Sequence, residues 1–151
     1  MEINLDVAEG TWFPYFESHI DLKTGDIVYH ESVSDAKVQI RSVAPFIEQQ
    51  LKSRKRKHEY VHNPKTRAME YVTYFEEMSF DQIIAELDEQ YAYGIMDFEG
   101  FVNSKTKETI PCTRETKIAL RRNEVFARFF ERCQQIIHGD TARKAEEAEK
   151  N

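Results

Sequence analysis

Residues 124–137 read Glu124-Val125-Phe126-Ala127-Arg128-Phe129-Phe130-Glu131-Arg132-Cys133-Gln134-Gln135-Ile136-Ile137. Val125, Phe126, Phe129, Phe130, Cys133, Ile136 and Ile137 recur at three- and four-residue steps, which gathers them on one stripe of an α-helix. A stripe carrying three phenylalanines is core by residue type. Gly139 is expected to end this helix.

A second helix is expected to start at Ser79, whose hydroxyl caps free amides while Gln82 completes an S-x-x-Q capping box. Phe80, Ile83, Ile84, Leu87, Tyr91 and Ile95 share one face. Asp81, Glu86, Asp88 and Glu89 fill the other, and the helix is expected to end near Asp97. Between the two helices, residues 98–102 and 109–112 read as short strands joined by a polar turn, and Thr113 as the cap of a further helix that Asn123 breaks.

Toward the N-terminus, residues 11–20 and 26–31 are rich in aromatic and β-branched types and flank a loop containing Gly25, so a β-hairpin is expected. Pro14 donates no backbone hydrogen bond, which places its strand at an edge or a bulge. Residues 37–43 alternate as a third strand and 69–75 as another. Pro45 opens a helix that is expected to run through Phe46, Ile47 and Leu51 and the basic stretch as far as Asn63-Pro64. The fold class is therefore α+β: a small antiparallel sheet with an N-terminal hairpin, packed with three to four helices. The expected organisation is a flexible segment 1–10, one domain 11–139 and a flexible or frayed helical tail 140–151.

The chain has 151 residues, 40% hydrophobic and 12% aromatic, enough apolar surface for one core. Its longest apolar runs are far below the ~20 residues of a spanning helix. The first ten residues lack a basic start followed by an apolar run, so a cytoplasmic protein is expected. Cys112 and Cys133 are too few for a disulfide framework and are expected to stay reduced. The formal net charge of −6 hides two blocks: residues 52–67 hold seven cations against Glu59 alone, and residues 76–99 hold eight acids with no Lys or Arg. Neighbouring blocks of opposite sign suit internal pairing or head-to-tail contact between copies.

One string has a catalytic look, His58-Glu59-Tyr60-Val61-His62. On a helix, His58 and His62 would face one way and hold zinc while Glu59 activates its bound water, which would make the protein a zinc-dependent hydrolase. The charged run before it and Asn63-Pro64 after it argue against a buried zinc helix, and no metal or other cofactor is expected. Lys52, Arg54, Lys55, Arg56 and Lys57 with Arg67 could instead meet phosphates, with Tyr60 stacking on a base, as in a small nucleic-acid-binding regulator. No phosphate-cradling glycine string occurs. Two amphipathic helices and several aromatic strands in so small a body leave an apolar face for a polypeptide partner.

The strings TWFPYFESHID at 11–21, NPKTRAME at 63–70, FEGFV at 98–102, IPCTRETK at 110–117 and FARFF at 126–130 resemble small tailed-phage proteins of the tail-morphogenesis region. The last three resemble the C-terminal half of siphophage tail assembly chaperones. That resemblance implies a non-enzymatic protein that coats the long helical tape measure protein until tail tube subunits replace it. It further implies partner contacts on the two amphipathic helices, through Phe80, Ile84, Leu87, Tyr91, Phe126, Phe129 and Phe130. Charged contacts, from Lys52, Arg54, Lys55, Arg56, Lys57, Glu86 and Glu89, would reach the tape measure or neighbouring copies.

Overall fold

The computed structural model describes residues 10–150, with side chains as far as Gly139. The expected flexible N-terminal segment lies, except for Gly10, outside the described residues. In chain order the elements are β1 Thr11–Pro14, β2 Ser18–Ile20, β3 Ile27–Tyr29, β4 Lys37–Ile40, α1 Ala44–Ser53, β5 Arg56–Asn63 and β6 Ala68–Phe75. They continue with α2 Phe80–Gly94, β7 Ile95–Glu99, α3 Arg114–Arg121 and α4 Glu124–Lys150. The class is α+β, with three antiparallel sheets: β1-β4-β7, the hairpin β2-β3 and the hairpin β5-β6.

β4 is the central strand of the first sheet, and its alternation is the signature of a strand with one covered face: Val38 and Ile40 are buried, Lys37 is exposed. On β7, Ile95 and Phe98 both reach the core although they lie three apart, a spacing that a regular strand would send to opposite faces. A register shift resolves this. Gln39 pairs with Asp97 but Ile40 with Ile95, so Met96 is the extra residue of a bulge.

α4 lies across this sheet. Its Phe126, Phe129, Phe130 and Cys133 join Val38, Ile40, Val43, Tyr91, Ile95 and Phe98 in one buried cluster. Tyr91 stacks on Phe130 at 4.1 Å, and Tyr15 packs against Phe101, Phe126 and Phe129. Two polar clamps fix the helix. Gln134 is buried, accepts from the Val43 amide at 3.2 Å and donates to the Arg41 carbonyl at 2.8 Å, satisfying backbone groups that leave the sheet at the end of β4. Arg128 donates to the Ser18 hydroxyl at 2.7 Å and to its carbonyl at 2.9 Å, holding the N-terminal hairpin.

Several expectations are corrected. Residues 11–20 do not form one hairpin strand: β1 pairs with β4, while only β2 pairs with β3. The break falls where Tyr15 and Phe16 turn into the core, the Tyr15 amide donating to the Ala36 carbonyl at 2.9 Å. Pro14 does sit on an edge strand, and Gly25 has the expected positive φ of 76° in the β2-β3 loop. The helix after Pro45 stops at Ser53, and the basic run and the H-E-x-x-H string enter β5 instead. Like charges three and four apart oppose helix there, and Tyr60 and Val61 favour strand once residues 68–75 offer a matching partner.

α2 stops at Gly94 rather than near Asp97, because Ile95 is needed on the sheet. Beyond β7 only a Val102–Thr109 bridge forms in place of a second strand pair. Gly139 does not end α4, which continues to Lys150. The capping boxes of Ser79 with Gln82 and of Thr113 with Thr116 are both present, and the side chain of Asn123, at the break after α3, accepts from the first amides of α4.

Gly94 is the point of closest approach between α2 and the core. A Cβ there would lie 2.6 Å from Val43 Cγ1 and 2.7 Å from Phe130 Cζ. Helix propensity favours Ala over Gly by ~1 kcal/mol, whereas overpacking a tight core costs ~1–3 kcal/mol. Gly94→Ala is therefore expected to destabilise by about 1–2 kcal/mol in urea titration; a stabilised variant would show that the contact is slack.

Burial also governs the titration of two core groups. It pushes the Cys133 thiol up to about 12 and, with some help from Glu131, the Tyr91 phenol up to about 12. Both acids stay protonated in the fold over a range where the unfolded chain releases its protons, beginning near pH ~8.5 for Cys and ~10 for Tyr. Their stabilisation is complete below those values and is lost as pH rises toward 12. Unfolding free energy is expected to fall with a slope of up to about 1.4 kcal/mol per pH unit per group, and Tyr91→Phe should flatten the upper part of that decline.

Candidate functional site

The chemistry that reaches solvent is concentrated where α1, α2 and the β5-β6 hairpin meet. A cleft of about 700 Å³ opens there between the two helices. Phe46, Gln49, Gln50 and Ser53 of α1 line one wall, and Gln82, Ala85 and Glu86 of α2 the other. Arg54, Lys55, Glu76, Glu77 and Met78 close the end next to the hairpin. Phe46 is fixed by stacking on Tyr93 at 4.8 Å, and the Arg41 guanidinium lies over the Tyr93 ring, 3.7 Å from its centroid. The cleft thus combines apolar patches with three glutamines, of which Gln50 is already bonded to the Glu86 carbonyl and to Gln90, and Gln82 accepts from the Ser79 amide.

Glu86, Asp88 and Glu89 of α2 are engaged within the chain. Arg54 forks onto Glu86 with contacts of 2.7 and 3.3 Å, Arg121 reaches Asp88 at 2.5 Å, and Arg114 pairs with Glu89. Gln50 adds a hydrogen bond to the Glu86 carbonyl at 3.1 Å. These pairs tie α1 and α3 to α2, so Arg54, Glu86 and Glu89, expected as contacts to a partner, serve the fold instead. Lys52, Lys55, Arg56 and Lys57 keep their charge exposed at the end of α1 and along β5.

Of the apolar residues expected to meet a partner, Tyr91, Phe126, Phe129 and Phe130 are core, Phe126 and Phe129 being only 1% exposed. The sheet consumes the stripe that seemed to be in surplus. Ile84 and Leu87 are half-buried, and Phe80, at the start of α2, is 75% exposed.

Sequence reasoning missed an exposed, aromatic-rich surface, the β5-β6 hairpin. It projects as an arm of two eight-residue strands in which only Asn63 and Val72 are partly covered. The signal for it was present: Asn63-Pro64-Lys65-Thr66-Arg67 is a turn between two runs of equal length, with Asn63 Oδ1 accepting from the Lys65 amide at 2.9 Å and Arg67 at a φ of 58°.

Residues paired across the ladder share a face. One face carries Arg56 with Phe75, His58 with Thr73, Tyr60 with Tyr71 and His62 with Met69, and no acid. Its rings form a ladder: His58 stacks on Tyr71 at 5.7 Å, Tyr60 meets Tyr71 at 5.2 Å, and Arg56 lies over Phe75 at 5.2 Å. The other face carries Lys57, Tyr74, Glu59, Val72, Val61 and Glu70.

Strand geometry separates His58 from His62 by about 13 Å, at ~3.3 Å per residue. Two ligands of one zinc ion must each lie ~2 Å from it. The H-E-x-x-H string therefore lacks the helical geometry that the zinc reading needed, and His58 Nδ1 instead meets Thr73 Oγ1 at 2.9 Å. Among the described residues no group of three or more His, Cys, Asp or Glu is placed to hold a metal ion. No helix among them is long and apolar enough to cross a membrane. Neither a protein-family model, nor a curated protein, nor a solved structure matches the chain.

Because the arm shares little with the buried cluster, it should be separable from the fold. Replacing residues 56–75 by a short Gly-Ser turn across Lys55 and Glu76, whose backbones already bond at 2.9 Å, is expected to change unfolding free energy by less than about 1 kcal/mol. Loss of the cooperative transition would mean that the arm supports the core.

Proposed function

We propose that this protein is a polypeptide-binding assembly factor of the tail assembly chaperone kind, and that the cleft between α1 and α2 receives a helical segment of the tape measure protein. The observation that carries the reading is the cleft itself. Apolar Phe46, Met78 and Ala85 alternate there with Gln49, Gln50 and Gln82, and exposed Phe80 and Ile83 begin the adjoining helix. An amphipathic helix laid in such a groove buries a few apolar anchors and hydrogen-bonds along its flanks. A lining that is partly polar suits an interaction that must later be released, since affinity rests on a few anchors rather than on a continuous dry surface.

Ala85 offers a clean test. It lies on an exposed side of α2 and lines the cleft without entering the core, so Ala85→Arg obstructs the groove while keeping a good helix former in α2. The wild-type chain, co-expressed with a helical tape measure protein, is expected to co-purify with it and keep it in solution. Ala85→Arg should weaken capture at least about ten-fold, the loss expected of an interface hot spot, with an unchanged melting curve. No co-purification by the wild type, or equal capture by the variant, refutes the cleft as the binding site.

A further inference from the structure

The β5-β6 arm and its approach hold five cations. Lys55 leads in, Arg56 and Lys57 open β5, and Lys65 and Arg67 lie in the turn at the tip. Among the described residues none of the five takes part in an ion pair. The acids nearby fall elsewhere. Glu59 and Glu70 belong to the opposite face of the ladder, where Asn63 Nδ2 donates to Glu70 Oε1 at 2.8 Å. The Glu76 amide donates to the Lys55 carbonyl at 2.9 Å, which extends the same alternation and sets Glu76 on that opposite side; with Glu77 it lines the cleft. Between Lys55 and Phe75 five cations stand against two acids, in a chain whose net charge is −6.

The acid-free face is an open platform of rings. Tyr60 is 67% exposed and Tyr71 59%, and His58 lies parallel to Tyr71, with an interplanar angle of 6°. Arg56 stands over Phe75 at the base end, and Lys65 and Arg67 at the tip. Eight residues of strand run about 26 Å at ~3.3 Å per residue, so cations flank the rings at both ends of an elongated track. An acidic peptide would answer the charge but offers the tyrosines no flat π-surface. A nucleobase supplies one whatever its identity. In a duplex the bases are already stacked on one another, which leaves only the cations to act.

We propose that the acid-free face of the arm binds single-stranded nucleic acid without sequence preference, bases stacking on Tyr60 and Tyr71 and phosphates meeting Arg56, Lys65 and Arg67. A basic track set with aromatic side chains holds single strands in this way, because stacking tolerates every base. The negative charge of the rest of the chain is screened beyond ~8 Å at physiological salt, so the projecting arm keeps its local sign. This goes beyond the cleft reading and does not depend on it, because it concerns the arm alone.

The experiment titrates the purified full chain, without any protein partner, into fluorescein-labelled oligomers of uridine and of deoxyuridine about 20 nucleotides long, followed by anisotropy. The wild type is expected to bind with a Kd of about 10 µM or tighter at about 50 mM salt. Three phosphate contacts, each adding ~0.7 to the slope of log affinity against log salt, then imply a loss of about twenty-fold by about 200 mM. Tyr60→Ile with Tyr71→Ile keeps strand propensity and apolar bulk but removes the rings; it should weaken binding at least about ten-fold with an unchanged salt slope. Tyr60→Phe with Tyr71→Phe should bind as the wild type does. Lys65→Gln with Arg67→Asn, the Asn suited to the positive φ at position 67, should lower the slope by about 1.4.

A stronger response to one of the two oligomers identifies RNA or DNA as the strand received, since they differ only in the 2′-hydroxyl. No binding of either oligomer at low salt overturns the proposal, as does an affinity indifferent to salt. So does equal binding by the isoleucine variant, or equal binding of a duplex of the same length. Capture of poly-glutamate in place of the oligomers also overturns it, assigning the face to an acidic polypeptide.

Discussion

The structure depends on one seam, the contact of α4 with the face formed by β4 and β7. Phe126, Phe129, Phe130 and Cys133 fill it from the helix, and Val38, Ile40, Ile95 and Phe98 from the sheet. Burial of these side chains is the dominant favourable term for a chain of this size. The seam also dictates irregularities elsewhere: the bulge at Met96 that turns both Ile95 and Phe98 inward, the early end of α2 at Gly94, and the break after Pro14 that lets Tyr15 and Phe16 join the aromatic cluster. Gln134 completes it by answering two backbone groups at the end of β4 that no strand can reach.

Once that seam is filled, little apolar surface is left on the helices. What remains is set by charge. α2 is held between α1 and α3 by three arginine–carboxylate pairs, of which Arg121 with Asp88 is the most sheltered. Exposed pairs contribute little each, so their role is to orient α2 rather than to stabilise it, and the orientation leaves the cleft open along one side. The arm departs from the rim of that cleft, which places the two exposed features of the molecule next to each other.

The helices after Ser79 and Thr113 and the stripe of α4 were legible because each is written locally, in capping boxes and a three-to-four residue period. The central strand 37–40 was legible for the same reason, its alternation matching its burial. The arm was not. His58 to His62 satisfies a helical motif when read alone, and only the pairing of Tyr60 with Tyr71 and of Lys57 with Tyr74, across the turn at 64–67, makes strand the better state. The candidate site suffered from the same limit: periodicity identified Phe126, Phe129 and Phe130 as apolar and grouped, but whether a sheet or a partner covers them is a tertiary fact. The charge blocks were visible, whereas the division of the acids between Arg54, Arg114, Arg121 and solvent required the packing of three helices.

A ribbon of only two strands has no interior strand. Both β5 and β6 present a free side on which alternate amides and carbonyls point outward, an open template for any extended chain that drifts past. Lys57, Glu59 and Glu70, set along the ribbon among its tyrosines, place a charge in the path of an indiscriminate β-stack. The chain thereby carries its own protection against amyloid-like growth at the place where it is most exposed to it.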